Sequence, residues 1–271
     1  MTTRLLHVVA DYGPVGDLAW AEVVAALYAK IPGGTQIWPT AVVPLNTMST
    51  GFNVGQLALA SSALRPEEVS IFANCAPRKD TAAPRINNAG EGLVFAKLTN
   101  GVQILAVNSG YSLSFVRGHL EELRVCRVAA DGSQFRSRDN FPDAVGRMLR
   151  GELDALLGES LVPEEVIPVL PTNTIVHVDP YGNLKLGIRQ GDPLLDELQV
   201  GQLVRFTIGG VEQTATYSDG IFGVHNGHLA FAPGSSGQDN RFYELSLRLS
   251  SAAAAFGYPE PGTEFSFVSA A

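Results

Sequence analysis

Hydrophobic and polar positions follow two different patterns along this chain. "RLLHVVADYG" is a short apolar run closed by an acid, an aromatic and a glycine, and "DLAWAEVVAALYAKIP" then repeats Leu18, Val23, Val24, Leu27 and Ile31 at helical spacing. The spacing predicts a strand and then a helix. "VGQLALASSAL" predicts a second helix, "VSIFANC" a strand, and "GLVFAKLTNGVQILAVNSG" two strands around an Asn100-Gly101 turn. "FPDAVGRMLRGEL" predicts another amphipathic helix. Strands alternating with helices imply an α/β domain with a mostly parallel sheet over residues 1–158.

Beyond that point the periodicity fades. Residues 159–172 hold several prolines and predict a linker. From 173 to 271, "TIVHVD", "LVRFTIGG", "EQTATYSDG", "HLAFAPG", "YELSLRL" and "TEFSFVSA" are short strands separated by glycine-rich turns. They imply an all-β, barrel-like second domain.

Composition narrows the function classes. The 271 residues carry a net charge of −8, and no basic stripe stands out, so a nucleic-acid partner is not expected. No apolar run approaches the ~18 residues of a membrane span, and "MTTRLLHVVADYG" meets an acid too early for a signal peptide. A cytoplasmic protein away from membranes is expected. Cys75 and Cys126 form no CxxC, which argues against an oxidised framework. There is no P-loop and no GxGxxG, and "SGYSLS" lacks the GxSxG elbow. His225 and His228 in "VHNGH" have neither a helix nor a third ligand to support them, so no metal is expected.

Polar residues at the ends of elements remain. Asp11 closes the first strand, where ligands of α/β sheets collect; its carboxylate suits the two hydroxyls of a ribose, and its plain structural role is a turn or cap acid. "SQFRSRDNF" places Arg136, Ser137 and Arg138 between aromatics, with Asp139 or Asn140 as helix cap and water-facing arginines as the simpler reading. "DNRFYELSLR" sets Arg241, Tyr243 and Arg248 around a strand, Arg241 being suited to grip a carboxylate. "HVDPYGNLKLGI" holds more polar and aromatic groups than a hairpin requires.

In order, these segments resemble the S-adenosylmethionine (SAM) hydroxide adenosyltransferase, fluorinase and chlorinase family, once a domain of unknown function. "VVADYG" is similar to the family's opening strand, "VDPYGNLKLGI" to its D-x-F-G-N-x-x-T-N-I segment, and "FRSRDNF" to F-Y-S-R-E or F-H-G-R-D. "NRFYELSLR" resembles N-S-R-G-Y with a later Arg, "TYSDG" resembles T-F-A-D, and "VNSGYSL" is loosely similar to P-N-N-G-L-L, which brings in Asn108. The resemblance implies an α/β domain joined to a β-barrel, usually as a homotrimer with SAM between subunits. It implies that Asp11 and Asn183 hold the nucleoside, that Tyr181 and Tyr217 stack on or wall the adenine, and that Arg241 grips the methionine carboxylate. Arg248 would lie near the adenine edge, Phe135 and Asn108 would join the substrate-binding residues, and Ser137 and Arg136 would face the attacking group, with Arg85 as a further catalytic residue.

The chain also departs from the family. The loop that carries a catalytic acid in the hydrolases reads "NCAPRKDTAAPR", with Cys75 or Ala76 at the acid's place and Arg85 retaining the family arginine. Arg136 replaces the histidine, and a guanidinium with a pKa above ~12 is no general base. Ser137 matches the halide-contacting serine, but Leu45 or Asn46 stands where the fluorinase has tryptophan, and the T-N pair has become Leu186 and Gly187. Arg136 with Arg78 or Lys79 makes a positive pocket for an anion. The expectation is displacement at the SAM sulfonium, with an anion or water attacking C5′ and methionine leaving. Chemistry within the methionine moiety is one alternative, and a catalytically inactive SAM- or nucleoside-binding protein is another.

Overall fold

The computed structural model describes residues 4–60, 65, 68–77, 79, 82–129 and 131–269. Two compact units divide it, Met1–Val169 and Leu170–Ala271.

The first unit is built on strands β1 (Arg4–Ala10), β2 (Thr35–Ala41), β3 (Val69–Asn74), β4 (Leu93–Leu98), β5 (Gln103–Val107), β6 (Leu120–Cys126) and β7 (Leu157–Ser160). Its helices are α1 (Leu18–Tyr28), α2 (Thr47–Leu59), α3 (Arg136–Asp139), α4 (Phe141–Arg150), α5 (Leu153–Leu156) and α6 (Pro163–Val166). The second unit holds β8 (Ile175–Val178), β9 (Leu184–Arg189), β10 (Leu203–Ile208), β11 (Val211–Tyr217), β12 (Leu229–Pro233), β13 (Phe242–Leu247), the short helix α7 (Ala252–Ala255) and β14 (Phe265–Ser269).

The expected mostly parallel sheet is corrected. The first sheet runs β2-β1-β3-β5-β4-β6-β7 and is mixed. β2, β1, β3 and β5 pair in parallel, whereas β5–β4, β4–β6 and β6–β7 are antiparallel. Parallel strands need a long crossover; α1 connects the neighbours β1 and β2, and α2 carries the chain from β2 past β1 to β3. The Asn100-Gly101 turn instead folds β4 directly onto β5 as a hairpin. β2 escapes the sequence pattern because Pro39 interrupts it, which an edge strand tolerates.

The second sheet is also mixed, in the order β14-β10-β11-β12-β13-β9-β8, with β11 and β12 parallel. The expectation of an all-β barrel-like domain is corrected to this mixed seven-stranded sheet carrying α7. Its two outermost strands are linked by an isolated bridge between Thr174 and Glu264. Residues 159–172, expected as a linker, begin inside β7 and include α6, and Ile167 is buried in the first unit's core.

Period-two burial explains the first unit's layers. Leu6, Val8 and Phe72 face α1 and α4 through Trp20, Val23, Phe141 and Val145. Val9, Ile71 and Val94 face the opposite side with Val54 and Ala58 of α2. Each such side chain contributes about 1.5–3 kcal/mol by leaving water. The parallel strands thereby end on one edge, and the loops that follow them form the site. Among the described residues no helix is long and apolar enough to cross a membrane.

Candidate functional site

A cavity of about 490 Å³ opens at the carboxyl ends of β1, β2 and β3, lined in part by Asp11, Leu45 and Asn74. Arg85, Phe135, Arg136 and Ser137 also line it, contributed by two later loops. Ligands of open α/β sheets bind in this position.

Those two loops are stitched to each other. Asn87 and Asn88 adopt left-handed backbone angles, at φ 53° and 55°. The turn directs the Asn87 carbonyl to accept from the Gly132 N–H at 2.8 Å, and the Asn88 amide donates to the Gly132 carbonyl at 3.2 Å. Ser133 Oγ accepts the Phe135 N–H at 3.0 Å and donates to the Asp139 carboxylate. This brace orients the first turn of α3, with Arg136 and Ser137 inward and Arg138 outward over the Phe135 ring at 4.9 Å. Arg138 pairs there with Glu22 and Asp139, and its hydrogen bond to Asp139, aided by Ser133, holds that carboxyl down to about 2.

Arg136 is 9% exposed, which corrects the reading that both arginines face water. Its Nη1 donates to the Glu91 carbonyl at 2.9 Å and its guanidinium lies 5.5 Å from the centroid of Phe141. A Cβ on Gly90 would overlap Nη2, so a side chain there would displace the guanidinium from this position. Burial of this charge is tolerable because a carbonyl and an aromatic face meet it. Arg85 is half-buried, with Nη1 3.4 Å from the Ala89 carbonyl. Lys79 is exposed, and Arg78 lies outside the described residues.

The Asp11 carboxylate accepts the Leu45 N–H at 2.9 Å, holding a loop in which Leu45 itself has φ 60°. The acid therefore has the turn role anticipated for it, and it lies on the cavity wall as well. Helix α1 is capped by Asp17 instead. Cys75, which with Ala76 is a candidate for the acid's place in the resembled loop, has its thiol pushed up to about 12, by burial first and then by the nearby Asp11 charge. It is protonated at neutral pH and no nucleophile.

Tyr12, Gly90 and Glu91 are among the lining residues that had no role in the sequence reading. Tyr12 packs edge-on against Trp20 at 5.0 Å and Phe135 at 6.0 Å. Its hydroxyl is buried and reaches no partner in hydrogen-bond geometry among the described residues, although Ser137 is close enough to favour its ionised form against the larger effect of burial. Glu91 is buried. An acid between two glycines in "AGEG" was the available signal for it.

Asn108 does not line this cavity; it is half-buried and its N–H donates to the Gly92 carbonyl at 3.0 Å. The remaining candidates belong to the second unit. Tyr181 is 82% exposed. Asn183 donates through Nδ2 to Asp179 at 3.0 Å, and Asp179 also accepts the Tyr181 and Asn183 N–H groups, so "DPYGN" is a turn closed by its own acid. Tyr217 stacks on Tyr243 with centroids 5.9 Å apart and hydroxyls 2.9 Å apart. Arg241 is exposed, with Nε donating to Gln190 at 3.3 Å, and Arg248 donates to the Val224 carbonyl at 2.6 Å beside Phe222. The rings of His225 and His228 meet edge to face at 6.0 Å.

No protein-family model matches this chain, and no curated protein sequence does. Its fold is similar to the crystal structure of an uncharacterized conserved protein from Thermotoga maritima, with a TM-score of 0.73 and 19% identity over 97% of this chain and 100% of that one. A conserved hypothetical protein from Thermus thermophilus is similar with a TM-score of 0.68 and 19% identity, over 98% of this chain and 100% of that one. At this identity the likeness establishes the fold and leaves the chemistry to the site.

Proposed function

We propose that this chain binds SAM and displaces its sulfonium by attack of an anion or water on C5′, releasing methionine. One observation carries the reading. Asp11, Arg85, Phe135, Arg136 and Ser137, which the sequence resemblance assigns to the two ends of an adenosyl site, line one cavity although they come from separate segments. The cavity's volume, about 490 Å³, falls in the range of small-molecule sites, and the Tyr12 hydroxyl on its wall is buried near Ser137.

In this reading Asp11 accepts the ribose hydroxyls while holding Leu45. Arg136, fixed against Gly90 and permanently charged, makes one wall positive, and Ser137 Oγ donates to the attacking group. A sulfonium is already an activated leaving group, so the chain's task is alignment and removal of water from the attacker. Arg136 takes no proton, so water enters only if it is deprotonated elsewhere; a pre-formed anion meets no such barrier. The roles that the resemblance gives Tyr181 and Arg241, towards the adenine and the methionine carboxylate, belong to the proposal. A homotrimer with SAM at subunit interfaces, in the cytoplasm, belongs to the same proposal.

The test is incubation with SAM alone, with chloride and with fluoride, followed by chromatography and mass detection of 5′-halo-adenosine, adenosine and methionine. Release of methionine with an adenosyl product supports the reading. SAM that binds in calorimetry and returns intact under every anion supports the second reading, binding without turnover, which the bracing of Arg136 by Gly90 and Glu91 favours. Absence of SAM binding removes both.

A further inference from the structure

The second unit has a cavity of its own, about 340 Å³, to which the residues assigned to SAM contribute nothing. Leu170, Val176 and Phe242 form apolar walls, and Thr172, Arg189 and Asp192 add polar groups. Arg189 is held flat over Phe242, its guanidinium carbon 3.8 Å from the ring centroid, and Nη1 donates to the Asn240 carbonyl at 3.0 Å. These contacts fix the plane of the guanidinium and leave most of its five N–H donors unassigned.

Arg189 makes no ion pair among the described residues. Asp192, on the same wall, instead accepts the Leu194 N–H at 3.0 Å. Burial alone accounts for the lowered pKa of Arg189, so no carboxylate offsets the loss of water around its charge. A partly buried cation with an ordered plane and no counter-ion is complementary to a planar anion that brings both charge and acceptors. The wall's shape depends on Gly187, where a Cβ would lie 2.6 Å from the Pro171 carbonyl oxygen and 2.8 Å from that of Thr172. Gly187 is also a position at which the chain departs from the motif it resembles. Its glycine lets residues 171–172 close on β9.

We infer that this cavity binds a small molecule through a carboxylate, paired side by side with the open edge of Arg189 and covered by Leu170, Val176 and Phe242. A carboxylate is favoured over a phosphate because one guanidinium balances a single negative charge and not two, and the acid Asp192 on the same wall repels a second charge further.

The experiment is calorimetric titration of the full chain with glutarate at low ionic strength, with inorganic phosphate and 1,5-diaminopentane in parallel. Saturable glutarate binding that weakens at least tenfold in Arg189→Gln, and is unchanged by saturating SAM, is the expected result. No glutarate binding, equal binding by the variant, or competition with SAM overturns the inference. Phosphate binding more tightly than glutarate in an Arg189-dependent way overturns the choice of carboxylate. Should Arg189→Gln not fold, a wild-type crystal soaked in glutarate decides. A carboxylate on the Arg189 guanidinium supports the site, and one seated elsewhere refutes it.

Discussion

The two units treat similar polar residues in opposite ways. In the first, Asp11, Ser137, Arg136 and the Tyr12 hydroxyl converge on a cavity, and the Tyr12 oxygen there has no partner in hydrogen-bond geometry among the described residues. In the second, the polar residues of "HVDPYGNLKL" mostly answer one another. Lys185, 5% exposed, lies 2.6 Å from Glu244 and 3.5 Å from Asp179, and Asp179 in turn closes the Tyr181–Asn183 turn. A buried polar group is stable when paired and costly when not, so the second arrangement contributes to folding, while the first leaves the Tyr12 hydroxyl as the costly group. Similarity of sequence motifs does not distinguish the two cases; the hydrogen-bond partners do.

Four measurements sharpen or break this contrast. Lys185→Met removes the cation between two shielded carboxylates, and urea unfolding is expected to show a loss of about 3–5 kcal/mol. A loss below about 1 kcal/mol would mean the network is not structural. Asp11→Ala is expected to weaken SAM binding by about 1.5–3 kcal/mol in calorimetry, the range of a charge-assisted bond. Asp11→Asn keeps an acceptor for the Leu45 N–H and loses the charge, so equal SAM affinity in both variants separates the ligand's requirement for charge from the loop's requirement for an acceptor.

The third measurement uses pH. Burial lowers His177 to about 4, from an ordinary value of 6.5. Above 6.5 the ring is neutral in both folded and unfolded chains. As pH falls from 6.5 towards 4 the unfolded chain takes up a proton that the folded chain refuses, so stability declines in that window, by up to roughly 3 kcal/mol. His177→Gln is expected to flatten this part of the stability curve, and an unchanged slope would assign it to other groups. The smallest effect is expected from Asn183→Ala, about 1 kcal/mol of stability from one lost side-chain hydrogen bond, with less effect on SAM affinity than Asp11→Ala. The reverse order would return Asn183 to the ligand.

Legibility followed the range of the interactions. Helix α1 was readable from Leu18, Val23 and Leu27, and the β4–β5 hairpin from Asn100-Gly101, because spacing and turn chemistry are local. Sheet direction was not readable: the hairpin that the sequence announced begins the antiparallel half of the first sheet, which β6 and β7 continue, while α1 and α2 carry the chain between the parallel strands β1, β2 and β3. The parallel pairing of β11 with β12 depends on a loop, 218–228, without a local signal for direction. In the site, Asp11 and Ser137 were marked by position and motif. Gly90 and Glu91 were not, because their importance arises from Arg136, a residue roughly 45 positions away that packs on them.

The sequence alone determined the chemical inventory and its local geometry: which segments coil or extend, that Arg136 has no proton to exchange, and that Cys75 and Cys126 form no CxxC pair. Tertiary structure decided which of those groups share a cavity and which satisfy one another, because burial and pairing are properties of neighbours brought together by folding. Arg136 against Gly90, Lys185 between Asp179 and Glu244, and Arg189 over Phe242 are each invisible in the order of residues and plain once the sheets have closed around them.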